Sequence, residues 1–341
     1  MNVVDQARLE QVVRRAGDRW TAAAADIETY LAAQVSDAAH REVVGPLLPA
    51  TGASGVVLVG GRRVASWGDP TAVEMTFSVT KTVVSLVAGI AYDDRLLIPE
   101  EPVHRAVPVA EFSGEHNEQI TWRHLLQQTS QWEGTLWGKP TSVDAQSYRE
   151  GTEVHGTPPG QGWAYNDVRM NLLCYALTLL IGRPLPEVLK ERVMDPLGAS
   201  PTWSWHGYST STITIDYEPV EVVSGGAHWG GGMFINAADL AAIGRLFLDG
   251  GTHDGRRIVS GKWIDQSWSP CPVKPEYGYL WWLNDQQIPW PGAPRTGRSA
   301  RGNAGRHLLW VDPARDLVLA SHWTEEPLNL IRAVSDCVSS T

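Results

Sequence analysis

The stretch FSVTKTVVSLVAGI, residues 77–90, places one serine and one lysine at the head of a long apolar run. Ser78 and Lys81 form an S-x-x-K pattern. Residues three apart lie on the same face of a helix, so a helix that begins near Ser78 would bring these two side chains together. The apolar residues 83–90 predict that this helix is buried. A lysine inside such a segment is unusual, because surface lysines normally lie among polar neighbours.

This pattern predicts a serine nucleophile with its own base. A serine hydroxyl is a weak nucleophile until a base takes its proton. Lys81 can be that base if burial and nearby positive charge disfavour its ammonium form. The N-terminus of the helix adds partial positive charge, which also favours a developing oxyanion. The alternative is a helix-capping Ser78 with a surface lysine, and the apolar surroundings of Lys81 argue against it.

Strand patterns lie on both sides of the centre of the chain. GVVLVG (55–60) and RVASW (63–67) flank Gly60-Gly61, while HLLWVD (307–312) and LVLAS (317–321) flank the turn PARD (313–316), and each pair predicts a hairpin. Residues 277–283 predict one more strand. Helical spacing occurs in residues 6–34, 172–180, 240–248 and 328–338, and 91–250 is otherwise mainly helix and loop.

The predicted fold class is therefore α/β (α+β). One antiparallel sheet is built from both termini and flanked by helices, and a helical subdomain is inserted into it. We expect residues 1–90 and 255–341 to form the sheet subdomain and 91–254 to form the mainly helical one. The active-site cleft would lie between them.

Five segments, in order, resemble motifs of the serine β-lactamase and penicillin-binding-protein superfamily, in particular class C β-lactamases, family VIII esterases and 6-aminohexanoate-dimer hydrolases. They are FSVTK (77–81), TWRHLLQQTS (121–130), PG (159–160) with WAYND (163–167), GGGMFINAADL (230–240), and GNAG (302–305) with WVDP (310–313). The resemblance implies a β-lactamase/transpeptidase-like fold.

The resemblance also implies a role for each matching residue. Ser78 would be acylated, Lys81 would hold or accept its proton, and Tyr165 would carry a proton to the leaving group. The backbone N–H of Ser78 and one just after Gly302, that of Asn303, would form the oxyanion hole.

Two departures from the family's motifs affect the expected activity. Asp167 stands where many β-lactamases have asparagine; it would weaken Lys81 as a base, or else pair with a substrate ammonium. The Lys-Thr-Gly motif is replaced by Ala300-Arg301-Gly302, in which Arg301 would bind a substrate carboxylate or be a surface residue. With no secretory signal at the N-terminus, these changes favour an esterase or amidase over a β-lactamase or D-peptidase. Acyl transfer to an alcohol or amine and a catalytically silent binding module remain the alternatives.

The remaining features exclude other classes of function. The net charge of −10 disfavours nucleic acid and anionic membranes as partners. No G-x-S-x-G or H-E-x-x-H occurs, and the glycine-rich residues 225–232 match neither dinucleotide nor phosphate loops. We therefore expect no metal and no cofactor, a small ester or amide substrate, and a possible oligomer. Three dispersed cysteines predict reduced thiols and a cytoplasmic protein, and His228 and His307 are expected to be structural.

Overall fold

The computed structural model describes residues 2–20, 22–35, 37–144 and 157–339. In chain order its strands are β1 (Ser54–Val59), β2 (Arg62–Trp67), β3 (Val73–Met75), β4 (Thr135–Leu136), β5 (Lys139–Pro140), β6 (Ser204–Ile215), β7 (Glu218–Val223), β8 (Gly232–Asn236), β9 (Thr252–His253), β10 (Arg256–Arg257), β11 (Trp282–Leu283), β12 (Arg298–Gly302), β13 (His307–Asp312) and β14 (Leu317–His322). Its α-helices are α1 (Gln6–Gly17), α2 (Ile27–Ala32), α3 (Thr80–Asp93), α4 (Val103–Ala106), α5 (Trp122–Leu126), α6 (Asp167–Ile181), α7 (Leu185–Leu189), α8 (Ala237–Leu248), α9 (Gly261–Ser267) and α10 (Pro327–Asp336).

The central sheet has six strands in the order β11-β12-β13-β14-β1-β2, and all neighbouring strands are antiparallel. Strand β1 pairs with β14, with Ser54 opposite His322, so the two ends of the chain meet inside one sheet. The two predicted hairpins are confirmed, around Gly60-Gly61 and around residues 313–316. The prediction of an antiparallel sheet from both termini is therefore confirmed.

Helices cover both faces of this sheet. Helix α8 packs on β1, β13 and β14. On the opposite face, Leu9 and Val13 of α1 and Ile331 and Val334 of α10 bury their side chains against the sheet. Helix α8 packs on this sheet although its residues precede 254. The predicted division of the chain into two subdomains, at residues 90 and 254, stays a prediction.

Helix α3 is the buried helix predicted from residues 77–90. Every residue from Thr80 to Ala91 is buried. The helix begins two residues later than Ser78, which itself lies on a preceding 3-10 turn, Phe77–Val79. The nucleophile candidate is therefore held on a tight turn at the N-terminus of a rigid core helix.

The structure adds strands to residues 91–250, for which the sequence predicted mainly helix and loop. A second sheet, in the order β3-β8-β6-β7, takes three of its strands from this range. The 12-residue β6 ends in the residues STSTITI, whose β-branched side chains favour a strand although they form no apolar run. The strand predicted over 277–283 is also shorter, only Trp282–Leu283, and Leu280 just before it has a left-handed φ of +63° that interrupts extended pairing.

Within the described ranges, no single helix has the length and apolar composition needed to cross a membrane. One helix pair, Asp167–Ile181 with Leu185–Met194, meets those two criteria only when taken together, and it is bent by 74°.

A buried histidine pair is expected to make the fold sensitive to acid. His307 and His322 lie on neighbouring strands, are fully buried, and face each other with their Nδ1 atoms 3.1 Å apart. Burial lowers the pKa of both imidazoles, that of His322 to about 4. In the unfolded chain a histidine binds its proton near pH 6.5, so the unfolded state gains protons first as the pH falls. The contribution of these histidines to folding stability, which is present above pH 6.5, is therefore lost as the pH falls towards their pKa in the folded state.

We predict that the free energy of unfolding falls by about 3 kcal/mol between about pH 7 and pH 4 through His322 alone. Urea unfolding of the wild type and of His322→Gln across this range tests it. The variant should show a flatter dependence on pH, whereas His253→Asn, at a half-buried site near the surface, should keep the wild-type dependence. Identical pH dependence in the wild type and His322→Gln would contradict the prediction.

Candidate active site

Ser78 lies on the turn that leads from strand β3 into helix α3. The residue before it, Phe77, has a φ of +51°, a left-handed conformation that is costly for a bulky residue. The Phe77 ring is buried against Trp323 and His307, at centroid distances of 6.0 and 5.1 Å, and this packing holds the strained backbone in place. Ser78 itself is 7% exposed. The position of the Ser78 hydroxyl is thus fixed by the packing of the preceding residue, Phe77.

Lys81 is directly beside the hydroxyl of Ser78. Its Nζ donates to Ser78 Oγ at 2.9 Å and to the carbonyl oxygens of Gly225 and Gly226 at 3.3 and 2.9 Å. The lysine side chain is buried. The S-x-x-K spacing therefore brings the two side chains together, as predicted, and a buried lysine surrounded by oxygen acceptors is held in one position.

The carbonyl groups around Lys81 come from the glycine-rich segment 225–232, for which the sequence predicted no role. Gly226 has a φ of +80°, and a Cβ there would lie 2.1 Å from the carbonyl oxygen of Phe77. A Cβ on Gly225 would lie 2.8 Å from Cβ of Met170. Only glycine allows the backbone to approach this closely. The density of glycines in 225–232 was the signal that could have indicated this role.

Asp167 forms a buried ion pair with Lys81, with Oδ1 2.6 Å from Nζ. It occupies the first turn of helix α6, whose N-cap is Asn166; the Asn166 Oδ1 accepts from the N–H of Arg169. His228 Nε2 lies 3.8 Å from the other carboxylate oxygen of Asp167. The acid at position 167 is thus beside Lys81, where the sequence predicted it, and His228 joins the site although it was expected to be structural.

Three buried residues, Asp144, Asp167 and His228, could by their chemistry hold a cation, because one ligand atom from each lies within 4.8 Å of the others. The ammonium of Lys81 already lies against Asp167. Asp144 accepts a hydrogen bond from the backbone N–H of Asp167. The adjacent ammonium would therefore repel a divalent metal. The carboxylate of Asp167 is better suited to its ion pair with Lys81 than to binding a metal ion.

Tyr165 lies next to Lys81 in a group of buried aromatic residues. Lys81 Nζ is 5.1 Å from the centroid of the Tyr165 ring. This ring stacks on Trp282, and Trp163 and Tyr277 complete the group, with centroid separations between 5.0 and 6.4 Å. The structure thus brings the predicted proton carrier into the site and fixes it by packing.

The end of strand β12 lies against the backbone of Ser78. A Cβ on Gly302 would lie 2.3 Å from the carbonyl oxygen of Thr76 and 3.1 Å from the N atom of Ser78. Asn303 follows with a φ of +50°. Gly302 is thus in direct backbone contact with the turn that bears Ser78, an approach that a larger residue would block.

Arg301 lies on the same strand and stacks on an aromatic face. Its guanidinium carbon is 3.7 Å from the ring centroid of Trp282 and 6.0 Å from that of Trp290. Stacking of this kind suits arginine, whose planar, delocalised cation is weakly hydrated. Arg301 is therefore half-buried against the aromatic residues beside Tyr165.

Comparison with known proteins finds a family match and several similar folds. A family model described as Beta-lactamase matches residues 41–333. A 6-aminohexanoate-dimer hydrolase from Paenarthrobacter ureafaciens is 24% identical over 286 residues, which cover 74% of this chain and 66% of that protein, slightly less than two thirds of its length.

Two solved structures illustrate the likeness of fold. EstCE1, described as a hydrolase with promiscuous acyltransferase activity, has 16% identity and a TM-score of 0.62, with 97% of this chain and 98% of that chain covered. A beta-lactamase from Mycobacterium bovis has 20% identity and a TM-score of 0.59, with 84% and 94% covered. The predicted β-lactamase/transpeptidase-like fold is confirmed by these matches.

Proposed function

This chain belongs to the beta-lactamase family, and on that premise we propose that it is a serine hydrolase that cleaves a carboxylic ester or amide through an acyl-enzyme on Ser78. The observation that carries the proposal is the 2.9 Å hydrogen bond between Lys81 Nζ and Ser78 Oγ at the N-terminus of a buried helix. A nucleophile and its base must lie within hydrogen-bond reach of each other.

Acylation begins when Ser78 Oγ attacks the carbonyl carbon. The hydroxyl proton passes to Lys81 Nζ while Lys81 passes a proton to Asp167 Oδ1, 2.6 Å away. Lys81 thus remains an ammonium beside the reacting oxygen, and Asp167 becomes neutral. The N–H groups of Ser78 and Asn303 bind the oxyanion of the tetrahedral intermediate.

The intermediate collapses when the bond to the leaving group breaks. Tyr165 donates a proton to the leaving alcohol or amine and is reprotonated through Lys81 from Asp167, so every group except the acylated Ser78 regains its starting state. A water molecule then attacks the ester by the same steps in reverse, with its proton taken by this network. Hydrolysis releases the acid and restores the Ser78 hydroxyl.

The walls of the site favour a particular kind of acyl group. The side chains of Trp163, Tyr277 and Trp282 form an apolar surface beside Tyr165. Arg301 adds a cation on the face of Trp282. We propose that the enzyme prefers a small ester or amide whose acyl part carries a carboxylate, which the arginine fork can bind.

A substrate panel tests the proposal. We expect p-nitrophenyl esters to be hydrolysed, a hemisuccinate ester faster than a butyrate ester, and a cephalosporin slowest. Arg301→Gln should reduce kcat/KM for the hemisuccinate by about tenfold, with little change for the butyrate, because one charge-assisted contact contributes roughly that much. Fastest turnover of the cephalosporin would identify a β-lactamase instead. No turnover of any compound by folded protein would favour a silent binding module.

Acyl transfer to an alcohol or amine is the second candidate. The aromatic group around Tyr165 can hold an organic acceptor as well as water, and EstCE1 is described as having promiscuous acyltransferase activity. Adding an alcohol to the ester assay separates the two outcomes, because transfer yields a new ester and hydrolysis yields only the acid.

A further inference from the structure

A short N-terminal segment reaches the proposed oxyanion hole from outside the family match. Helix α2 and the residue Gln34 precede residue 41, where the match to the family model begins. Two side chains of this segment, Tyr30 and Gln34, are half-buried and contact residues of the site. Nothing in the sequence indicated a role for either residue.

Tyr30 and Gln34 both contact the side chain of Asn303. The Asn303 Nδ2 donates to Tyr30 Oη at 2.7 Å, and Tyr30 Oη lies 3.0 Å from Asn303 Oδ1. The Gln34 Nε2 donates to the same Oδ1 at 3.4 Å. Hydrogen bonds to both the amide nitrogen and the amide oxygen therefore hold the Asn303 side chain in place.

Gln34 also contacts the opposite side of the site. Its Oε1 lies 3.0 Å from Nδ1 of His228, and His228 Nε2 is 3.8 Å from Asp167, the ion-pair partner of Lys81. One side chain thus joins the turn that bears Asn303 to the charged residues around the nucleophile.

The N-terminal segment is firmly attached, so these contacts can position what they bind. Ile27 and Leu31 of α2 are buried in the same cluster as Phe77 and Trp323. The Tyr30 ring packs edge-on against Trp323, with centroids 6.0 Å apart. Helix α2 therefore shares its packing with the residue that holds Ser78 in place.

The backbone at Asn303 needs such a restraint. Asn303 and Ala304 both have left-handed φ values, +50° and +56°. This conformation costs a non-glycine residue energy, although asparagine tolerates it better than most, and it persists where neighbouring contacts fix it. The direction of the Asn303 N–H therefore depends on what its side chain binds.

We propose that Tyr30 and Gln34 are positioning residues that hold the Asn303 N–H in its direction towards the oxyanion. The inference rests on the proposed function, because it assumes that an oxyanion forms at Ser78. In this role both residues act through Asn303 and not on the substrate itself. Losing the tether leaves the donor in place but lets it turn away, so turnover falls more than substrate binding.

The test compares Tyr30→Phe, Gln34→Leu and Asn303→Ala, singly and in pairs, with a p-nitrophenyl ester that the wild type hydrolyses. Each single variant should lower kcat by about tenfold or more, with KM changed by less than about threefold, since removal of an oxyanion donor outright costs about 10²–10³. In the Asn303→Ala background, Tyr30→Phe should have little further effect, because the tether is already lost. Asn303→Gly should retain more activity than Asn303→Ala, because glycine adopts a left-handed φ without steric cost.

Glu28→Gln, on an exposed position of the same helix, is the matched control and should retain wild-type kcat. Unchanged kcat in Tyr30→Phe and Gln34→Leu would overturn the inference, as would equal losses from Tyr30→Phe with and without Asn303→Ala. Because Ser78→Ala is assayed alongside, these outcomes are distinct from failure of the proposed function, in which Ser78→Ala would retain activity.

Discussion

Replacing Ser78 by alanine should lower kcat/KM for a p-nitrophenyl ester by at least about 10⁴-fold, because loss of a serine nucleophile in such a site removes the covalent route entirely. The remaining turnover would come from the oxyanion donors and binding alone. Folding should be preserved, since Ser78 lies on a turn held by the Phe77 ring. Steady-state kinetics and thermal unfolding of the same preparations measure both effects.

Ser85→Ala is the matched control for this variant. Ser85 is buried in helix α3, about two turns after Ser78, and the substitution likewise removes a serine hydroxyl. Its kcat/KM should stay close to the wild type. Equal activity in Ser78→Ala and Ser85→Ala would rule out Ser78 as the nucleophile.

Replacing Lys81 by methionine should lower kcat/KM by about 10³-fold, since it removes both the proton acceptor and the ammonium beside the reacting oxygen. The same change leaves Asp167 buried without its partner. Breaking a buried pair by removing one member typically destabilises a protein by about 3–5 kcal/mol, so Lys81→Met should also unfold at lower urea concentration.

Two further variants separate the catalytic effect from the loss of stability. Adding Asp167→Asn to Lys81→Met should recover much of the lost stability without recovering activity. Lys139→Met removes another buried lysine, one that donates to the carbonyl oxygens of His40 and Glu42, and should retain activity despite its lower stability. Recovery of activity in the double variant would mean that Lys81 acts only by balancing the charge of Asp167.

The sequence predicted the central sheet and the core helix because their patterns are local. The apolar run after Lys81 and the glycine and proline turns at 60–61 and 313–316 each specify one element without reference to the rest of the chain. Strands β6 and β7 were missed because their outer face is polar, and the pairing of β6 with β8 depends on contacts that no local pattern records.

The same distinction applies to the site. The three-residue spacing of Ser78 and Lys81 predicted their contact, and the motif resemblance identified Tyr165, Asp167 and Gly302, which the structure brings to the same place. The carbonyl oxygens of Gly225 and Gly226, and the contacts of Tyr30 and Gln34, arise where distant segments meet. Apart from the density of glycines in 225–232, contacts of this kind between distant segments leave no pattern in the sequence.

Mass spectrometry of the folded protein shows whether a covalent acyl-enzyme forms on Ser78. The protein is analysed after reaction with a fluorophosphonate and, in rapid-quench samples, with a p-nitrophenyl ester. We expect one adduct per chain, located on the peptide that contains Ser78, present in Ser85→Ala and absent in Ser78→Ala. An adduct that persists in Ser78→Ala, or no adduct in folded wild-type protein with either reagent, would contradict it.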